Sequence, residues 1–220
     1  RPDPVLQQIE DFGDGTVSAN DCFRPVSRYF DRITRPEQLL EALPRAMSTL
    51  LDPADCGPVT LAFCQDVQAE ACDFPSDFFE RRTWSFRAQP PDPAEVDRLE
   101  ALLRASSAPL IIAGGGVLYS GAEASLSALA EATGIPVAET QAGKGALAWD
   151  HGQALGSIGV TGTSAPNAAA QAPDLIVAVG TRLQDFTTGS RALFANPSHR
   201  LVQVNVASFD AYKHGAQPVV

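Results

Sequence analysis

The second half of this sequence alternates between short aliphatic runs and amphipathic stretches, and that alternation constrains the fold more than any other feature. Residues 110–113, 135–139, 174–179 and 201–206 read as strands, and in 174–179 every interior position is aliphatic. Residues 121–133 and 166–171 read as the helices between them, the first ended by Gly134. Strand–helix alternation of this kind implies right-handed crossovers and a mostly parallel, doubly wound, Rossmann-like α/β sheet. Charge supports the reading. Residues 1–110 carry 19 acids and 11 bases, whereas residues 111–220 carry 7 acids and 5 bases. A segment so poor in charge fits strands covered on both faces.

The first half is organised differently. Residues 1–33 read as irregular, rich in Asp, Gly and Pro. Thr34-Arg35-Pro36-Glu37 has the form of a capping box, with Thr34 as N-cap and Glu37 closing it. A helix with an apolar stripe of Leu39, Leu40, Leu43, Met47, Leu50 and Leu51 should follow, kinked or split at Pro44. Residues 58–63 read as a short strand. Residues 73–92 hold Pro75, Pro90 and Pro91 without a sustained period and read as a linker. Asp92-Pro93-Ala94-Glu95 then opens a helix with a buried stripe of Val96, Leu99, Leu102 and Leu103. The expected organisation is therefore a partial domain over residues 1–72, a linker over 73–92 and an α/β domain over 93–220.

Several functions are excluded by composition. Hydrophobic residues make up 45% and charged residues 19%, which is globular rather than disordered. The net charge of -10 repels a phosphate backbone, so nucleic acid is not an expected partner. No apolar run approaches the roughly 20 residues of a membrane helix. Residues 1–10 are polar and Pro-broken, without the apolar core of a secretion signal. Cys22, Cys56, Cys64 and Cys72 lack C-x-x-C spacing, so reduced thiols in a cytoplasm are expected. His151, His199 and His214 have no neighbours that complete a metal motif. Arg1 opens the sequence and Met47 is the one methionine, so the chain reads as processed or as a piece of a longer one.

In doubly wound sheets ligands bind beyond the carboxyl ends of the strands. Three loops belong to that edge: residues 114–116, 140–145 and 180–185. Glycines there allow close backbone approach, and amide groups at a helix start suit a phosphate. Arg182 could pair with that phosphate, and Asn205, just inside the end of its strand, could take a ribose hydroxyl. Two readings stay open: a nucleotide-type ligand, or tight turns of a fold that binds nothing. Gly114-Gly115-Gly116 is not G-x-G-x-x-G and no acidic residue follows at the ribose offset. Lys144 lies in Gly143-Lys144-Gly145, which lacks P-loop spacing, and no nucleophile elbow accompanies the serines and histidines. Residues 156–162 are a further Gly-rich turn of the same ambiguity.

With these residues in view, the chain resembles the thiamine-diphosphate-dependent enzymes of the acetolactate-synthase type over essentially its whole length. Gly57-Pro58-Val59-Thr60-Leu61 followed by Gln65-Asp66-Val67 resembles the G-P-V-x-x-x-x-P-x-D-V signature near the end of the pyrimidine-binding domain, with Cys64 in place of the usual Pro. Gly114-Gly115-Gly116, Gly159-Val160-Thr161-Gly162 and Thr181-Arg182-Leu183 resemble the central domain in order and spacing. Within the superfamily, residues 21–33, 139–147, 181–190 and 209–214 are most similar to the trihydroxycyclohexanedione hydrolase family of inositol catabolism.

The resemblance implies a thiamine diphosphate and Mg²⁺ cofactor, and ring opening of a cyclic dione by C–C cleavage. It places the activating glutamate before Arg1 and the Mg²⁺–diphosphate motif after Val220. No catalytic residue or metal ligand is then expected in this chain, and Gly13-Asp14-Gly15 reads as a polar turn that imitates the motif. The expected partners are the remaining domains of the same enzyme, in a homo-oligomer. Some relatives hold FAD or ADP in the central domain, and the resemblance matches Gly114, Gly115, Gly116, Thr140, Gly180 and Arg182 to their nucleotide-contacting positions. Phe186 stands where FAD-binding relatives have an arginine and Asn205 where they have an aspartate, which argues against tight FAD binding. The central domain is then chiefly structural.

Overall fold

In the computed structural model the described residues are 13, 14 and 16–220. Residues 1–10 and Gly15 of the Gly13-Asp14-Gly15 turn lie outside them. The chain divides into two compact units, Arg1–Arg87 and Ala88–Val220.

The first unit is built on two parallel strands, β1 (Tyr29–Ile33) and β2 (Val59–Phe63), in register from Tyr29↔Val59 to Ile33↔Phe63. The helix α1 (Leu39–Leu51) connects them. Ile33, Ala42 and Val67 form the buried centre, with Leu39, Leu61 and Cys64 packed against it.

Four local expectations need correction here. Residues 29–33 are a strand rather than irregular chain, because pairing with the apolar β2 overrides the polar Asp31 and Arg32. The cap is closed by Gln38, not Glu37: its Oε1 accepts from Thr34 N at 2.6 Å, Thr34 Oγ1 at 3.0 Å and Arg35 N at 2.9 Å. Pro44 lies inside α1 without splitting it. The inward face of α1 is Ala42 and Ala46, whereas Leu40, Leu43 and Leu50 are exposed. Two small residues four apart let the helix sit close on a narrow sheet, and this turns the leucines outward.

The second unit holds six parallel strands. These are β3 (Pro109–Ala113), β4 (Val137–Glu139), β5 (Ala154–Ser157), β6 (Leu175–Val179), β7 (Arg200–Val204) and β8 (Gln217–Val219). Their spatial order is β5-β4-β3-β6-β7-β8. The expected parallel α/β architecture is present. Alternate residues of β3 enter two separate cores: Ile111 and Ala113 join Val117, Val137, Val177 and Val202 on one face, while Leu110 and Ile112 join Ile158, Ile176 and Ala178 on the other. That is the doubly covered sheet which low charge implied.

The helices are α2 (Pro93–Ala105), α3 (Gly115–Tyr119), α4 (Glu123–Thr133), α5 (Ser164–Ala169), α6 (Asp185–Thr188) and α7 (Ser208–Ala211). The Asp92 carboxylate caps α2 by accepting from Ala94 N at 2.8 Å, and Gly134 ends α4 in the left-handed region. Leu99, Leu102 and Leu103 pack against the core, but Val96, expected in the same stripe, is 39% exposed; the first turn of α2 is tied instead through Asp92 N donating to Val220 O and Glu95 accepting from Val220 N. Two strands were not legible. β5 contains Gly156 at φ +92° and follows a register shift against β4, and β8 is a three-residue edge strand centred on Pro218.

A single carboxylate fastens the amino ends of the sheet. Asp174 accepts from the Ser106 hydroxyl, from Ser107 N at 2.7 Å and from Ala108 N at 3.1 Å. These bonds, the Ser106 one foremost, hold its carboxyl below the ordinary carboxylate range. No helix among the described residues is long and apolar enough to cross a membrane.

Candidate functional site: the carboxyl edge of the six-stranded sheet

Strand order reverses between β3 and β6, so the loops leaving these two strands face each other. Their contact is made by backbone. Gly114 N donates to Val179 O at 2.8 Å and Gly116 N to Gly180 O at 2.9 Å. A Cβ on Gly116 would lie 2.6 Å from Gly180 Cα, and one on Gly114 would lie 2.3 Å from Gly180 O. Gly180 itself has φ +60°. Glycine is therefore required here by chain-on-chain packing, with two of the loop amides already engaged within the protein. Helical structure begins at Gly115, so residues 115 and 116 belong to α3 rather than to a free loop.

The loop after β4 is equally self-contained. Thr140 is buried, and its Oγ1 accepts from Gly143 N at 3.1 Å. A Cβ on Gly143 would come within 2.3 Å of Ala113 O, so this turn also presses on the β3 exit. Glu139, the last residue of β4, accepts from Gly145 N at 3.1 Å and Leu147 N at 3.0 Å through one oxygen. Lys144, between them, is exposed and makes no ion pair among the described residues.

Asn205 follows β7. Its Nδ2 donates to Thr181 O at 3.1 Å and its Oδ1 accepts from Ala207 N at 3.0 Å. Both ends of the amide are thus used in joining the exits of β6 and β7. Arg182 is exposed and lies between two buried residues, Thr181 and Leu183. Its guanidinium makes no ion pair among the described residues. Phe186 and Val160 are exposed on neighbouring loops joined by Val160 N donating to Phe186 O at 2.8 Å.

All seven candidate residues, Gly114, Gly115, Gly116, Thr140, Gly180, Arg182 and Asn205, therefore lie along one edge. Of the side chains among these, Arg182 is the exposed one, whereas Thr140 is buried and Asn205 partly so. Sequence reasoning missed Glu139, Asn167 and His214. Asn167 embraces one peptide, accepting from Gly159 N at 2.9 Å and donating to Gly159 O at 3.0 Å. Glu139 carries a readable signal, an acid at a strand end followed by a Gly-rich turn; His214 carries none, because its main-chain partner lies 31 residues away, and Asn167 lies in a stretch with no motif to single it out.

The described residues contain no group of three or more His, Cys, Asp or Glu that could hold a metal ion. The Cys72 thiol is pushed above its ordinary value, first by burial and then by the charge of Glu37, the reverse of what a nucleophile needs. The residues present thus do not fit a diphosphate–metal site.

Known proteins agree with this architecture. The chain is 47% identical over its full length to the 3D-(3,5/4)-trihydroxycyclohexane-1,2-dione hydrolase of Clostridium tetani and spans 34% of that protein. It is 49% identical to the enzyme of the same name from Geobacillus thermodenitrificans, again over 100% of this chain and 34% of the relative. Benzoylformate decarboxylase from Polynucleobacter necessarius superposes with a TM-score of 0.71 at 26% identity, covering 90% of this chain and 36% of that one. The chain thus spans about a third of the length of the curated relatives it matches. Residues 96–220 match the thiamine pyrophosphate enzyme central domain, and the chain belongs to that family.

Proposed function

We propose that this chain is the central portion of a thiamine-diphosphate-dependent hydrolase that opens the ring of 3D-(3,5/4)-trihydroxycyclohexane-1,2-dione. The observation that carries the proposal is the likeness, at 47% identity over all 220 residues, to hydrolases of that name. In this reading residues 1–72 are the end of the pyrimidine-binding domain, residues 73–92 a linker and residues 93–220 the central domain. The first unit supports it physically. Two parallel strands and one helix do not make a stable layer alone, and the exposed Leu40, Leu43 and Leu50 suit burial against further structure.

The thiazolium would supply the nucleophile and Mg²⁺ would hold the diphosphate, both on groups outside residues 1–220. The part played by this chain is structural. It fixes the β3, β4, β6 and β7 exits against one another with main-chain contacts. It keeps the edge closed through Glu139, Asn167 and Asn205. It leaves Arg182 as the group at that edge able to meet an anion. Full-length enzyme would work as a homo-oligomer in the cytoplasm.

The test is ring opening of the dione by the protein of the full-length parent gene, with and without thiamine diphosphate and Mg²⁺. Turnover that needs both supports the proposal, together with no turnover by the 220-residue chain. Turnover by the 220-residue chain alone, or none by the parent protein, overturns it. Arg182 and Lys144 favour a second reading, a nucleotide- or FAD-binding module. Yellow protein, or melting raised by ADP, would favour that module; colourless protein with unmoved melting would count against it.

A further inference from the structure

Arg182 stands on the most constrained stretch of backbone at this edge. The next residue, Leu183, has φ +43°, a left-handed conformation that a bulky residue rarely adopts, and it is only 1% exposed. Three hydrogen bonds hold residues 181–183, two of them made by Leu183 itself. Leu183 N donates to Thr181 Oγ1 at 3.2 Å. Thr181 O accepts from Asn205 Nδ2 at 3.1 Å. Leu183 O pairs with His214 Nε2 at 2.9 Å. A carbonyl oxygen can only accept, so that imidazole carries its proton on Nε2. His214 is itself left-handed, at φ +61°. Two strained residues, 31 positions apart, are thus joined by one bond. Strain of this kind persists only where surrounding structure enforces it, and it gathers at functional sites.

We propose that His214 is a positioning residue for Arg182. With Asn205 and Thr181 it holds the loop so that the exposed guanidinium stands ready for an oxyanion, a phosphate or a carboxylate. The inference rests on the reading that ligands approach the carboxyl edge. The physical gain is preorganisation. A cation on a fixed backbone loses less freedom on binding than one on a loose loop, so affinity rises without a new contact. Among the described residues Arg182 has no competing ion pair, and its neighbours Thr181 and Leu183 are buried.

The test separates the clamp from the backbone strain. His214→Gly keeps the left-handed conformation accessible and removes the ring; His214→Gln returns a donor. In the 220-residue chain, His214→Gly should speed hydrogen exchange around Leu183 and tryptic cleavage after Arg182 by about tenfold, the effect of losing one hydrogen bond. His214→Gln should restore most of the protection. Titration of the Arg182 side-chain NMR signal with inorganic phosphate, and separately with acetate, should saturate in the wild type. It should be lost in Arg182→Gln and weakened several-fold in His214→Gly, with melting equal in His214→Gly and His214→Gln. Saturation by phosphate alone would assign a phosphate ligand, and saturation by acetate alone a carboxylate. Unchanged exchange and cleavage in His214→Gly overturns the clamp. Equal affinity in His214→Gly and wild type, or no saturation by either anion, overturns the positioning of Arg182. None of these outcomes bears on ring opening by the parent protein, which judges the functional reading independently.

Discussion

Gly116 and Gly180 meet main chain to main chain: Gly116 N donates to Gly180 O at 2.9 Å, and a Cβ on either would lie 2.6 Å from the other's Cα. The central crossover of the sheet is therefore closed by two residues chosen for having no side chain. Alanine at position 116 would gain about 1 kcal/mol in helix propensity but forces two backbones apart, which costs about 1–3 kcal/mol. Gly116→Ala should thus be destabilising on balance. Gly180→Ala should be worse, since it adds about 1–2 kcal/mol for its left-handed φ. Urea unfolding of the two variants measures the order; a Gly116→Ala protein as stable as the wild type would refute it.

Asp174 gives a pH dependence of known sign. Its carboxyl is held down in the folded chain by the Ser106 hydroxyl and the Ser107 amide, so the folded value lies below the unfolded value of about 3.9. The stabilisation is complete above that unfolded value and disappears as pH falls through the folded one. Wild type should exceed Asp174→Asn in urea midpoint at neutral pH, with the gap closing in acid. A gap that does not change with pH would show that the carboxylate charge is not what matters.

Glu139→Ala should loosen residues 140–147. Amide exchange at Gly145 and Leu147 is expected to rise by about tenfold or more, and stability to fall by about 1–2 kcal/mol, since two amides lose a shared charged acceptor. Protection that is unaltered at both amides would remove Glu139 from its assigned place.

Leu40, Leu43 and Leu50 point away from the core of the first unit. Replacing all three by Gln should leave thermal melting nearly unchanged, because exposed positions contribute little, and should raise the monomer fraction in sedimentation. A large loss of stability would mean that these leucines are packed.

The fold of the second unit was legible because its central strands are nearly pure aliphatic runs, as with residues 174–179, and its punctuation is conventional, as at Gly134 and Asp92. Elements whose identity comes from pairing were not. β1 carries Asp31 and Arg32, β5 is interrupted by Gly156 and β8 is centred on Pro218. In each case partner strands decide, not local pattern. The α1 stripe misled for a related reason, since Ala42 and Ala46 win the inner face through size rather than hydrophobicity. At the edge, sequence located the right loops. It could not tell a glycine that admits a ligand from one that admits another main chain, because both ask only for a missing Cβ.

Strand order β5-β4-β3-β6-β7-β8 means that the central strand is made first and its two neighbours arrive at different times. During synthesis β4 pairs with β3 and β5 then adds to the far edge of β4, while the other edge of β3 waits for Leu175–Val179 to leave the ribosome. Through that interval Leu110, Ile111 and Ile112 form an open apolar edge able to pair with any extended chain nearby. The sheet's vulnerability is thus one of timing: slow translation between β5 and β6 should lower the yield of native protein even though the finished fold is unaffected.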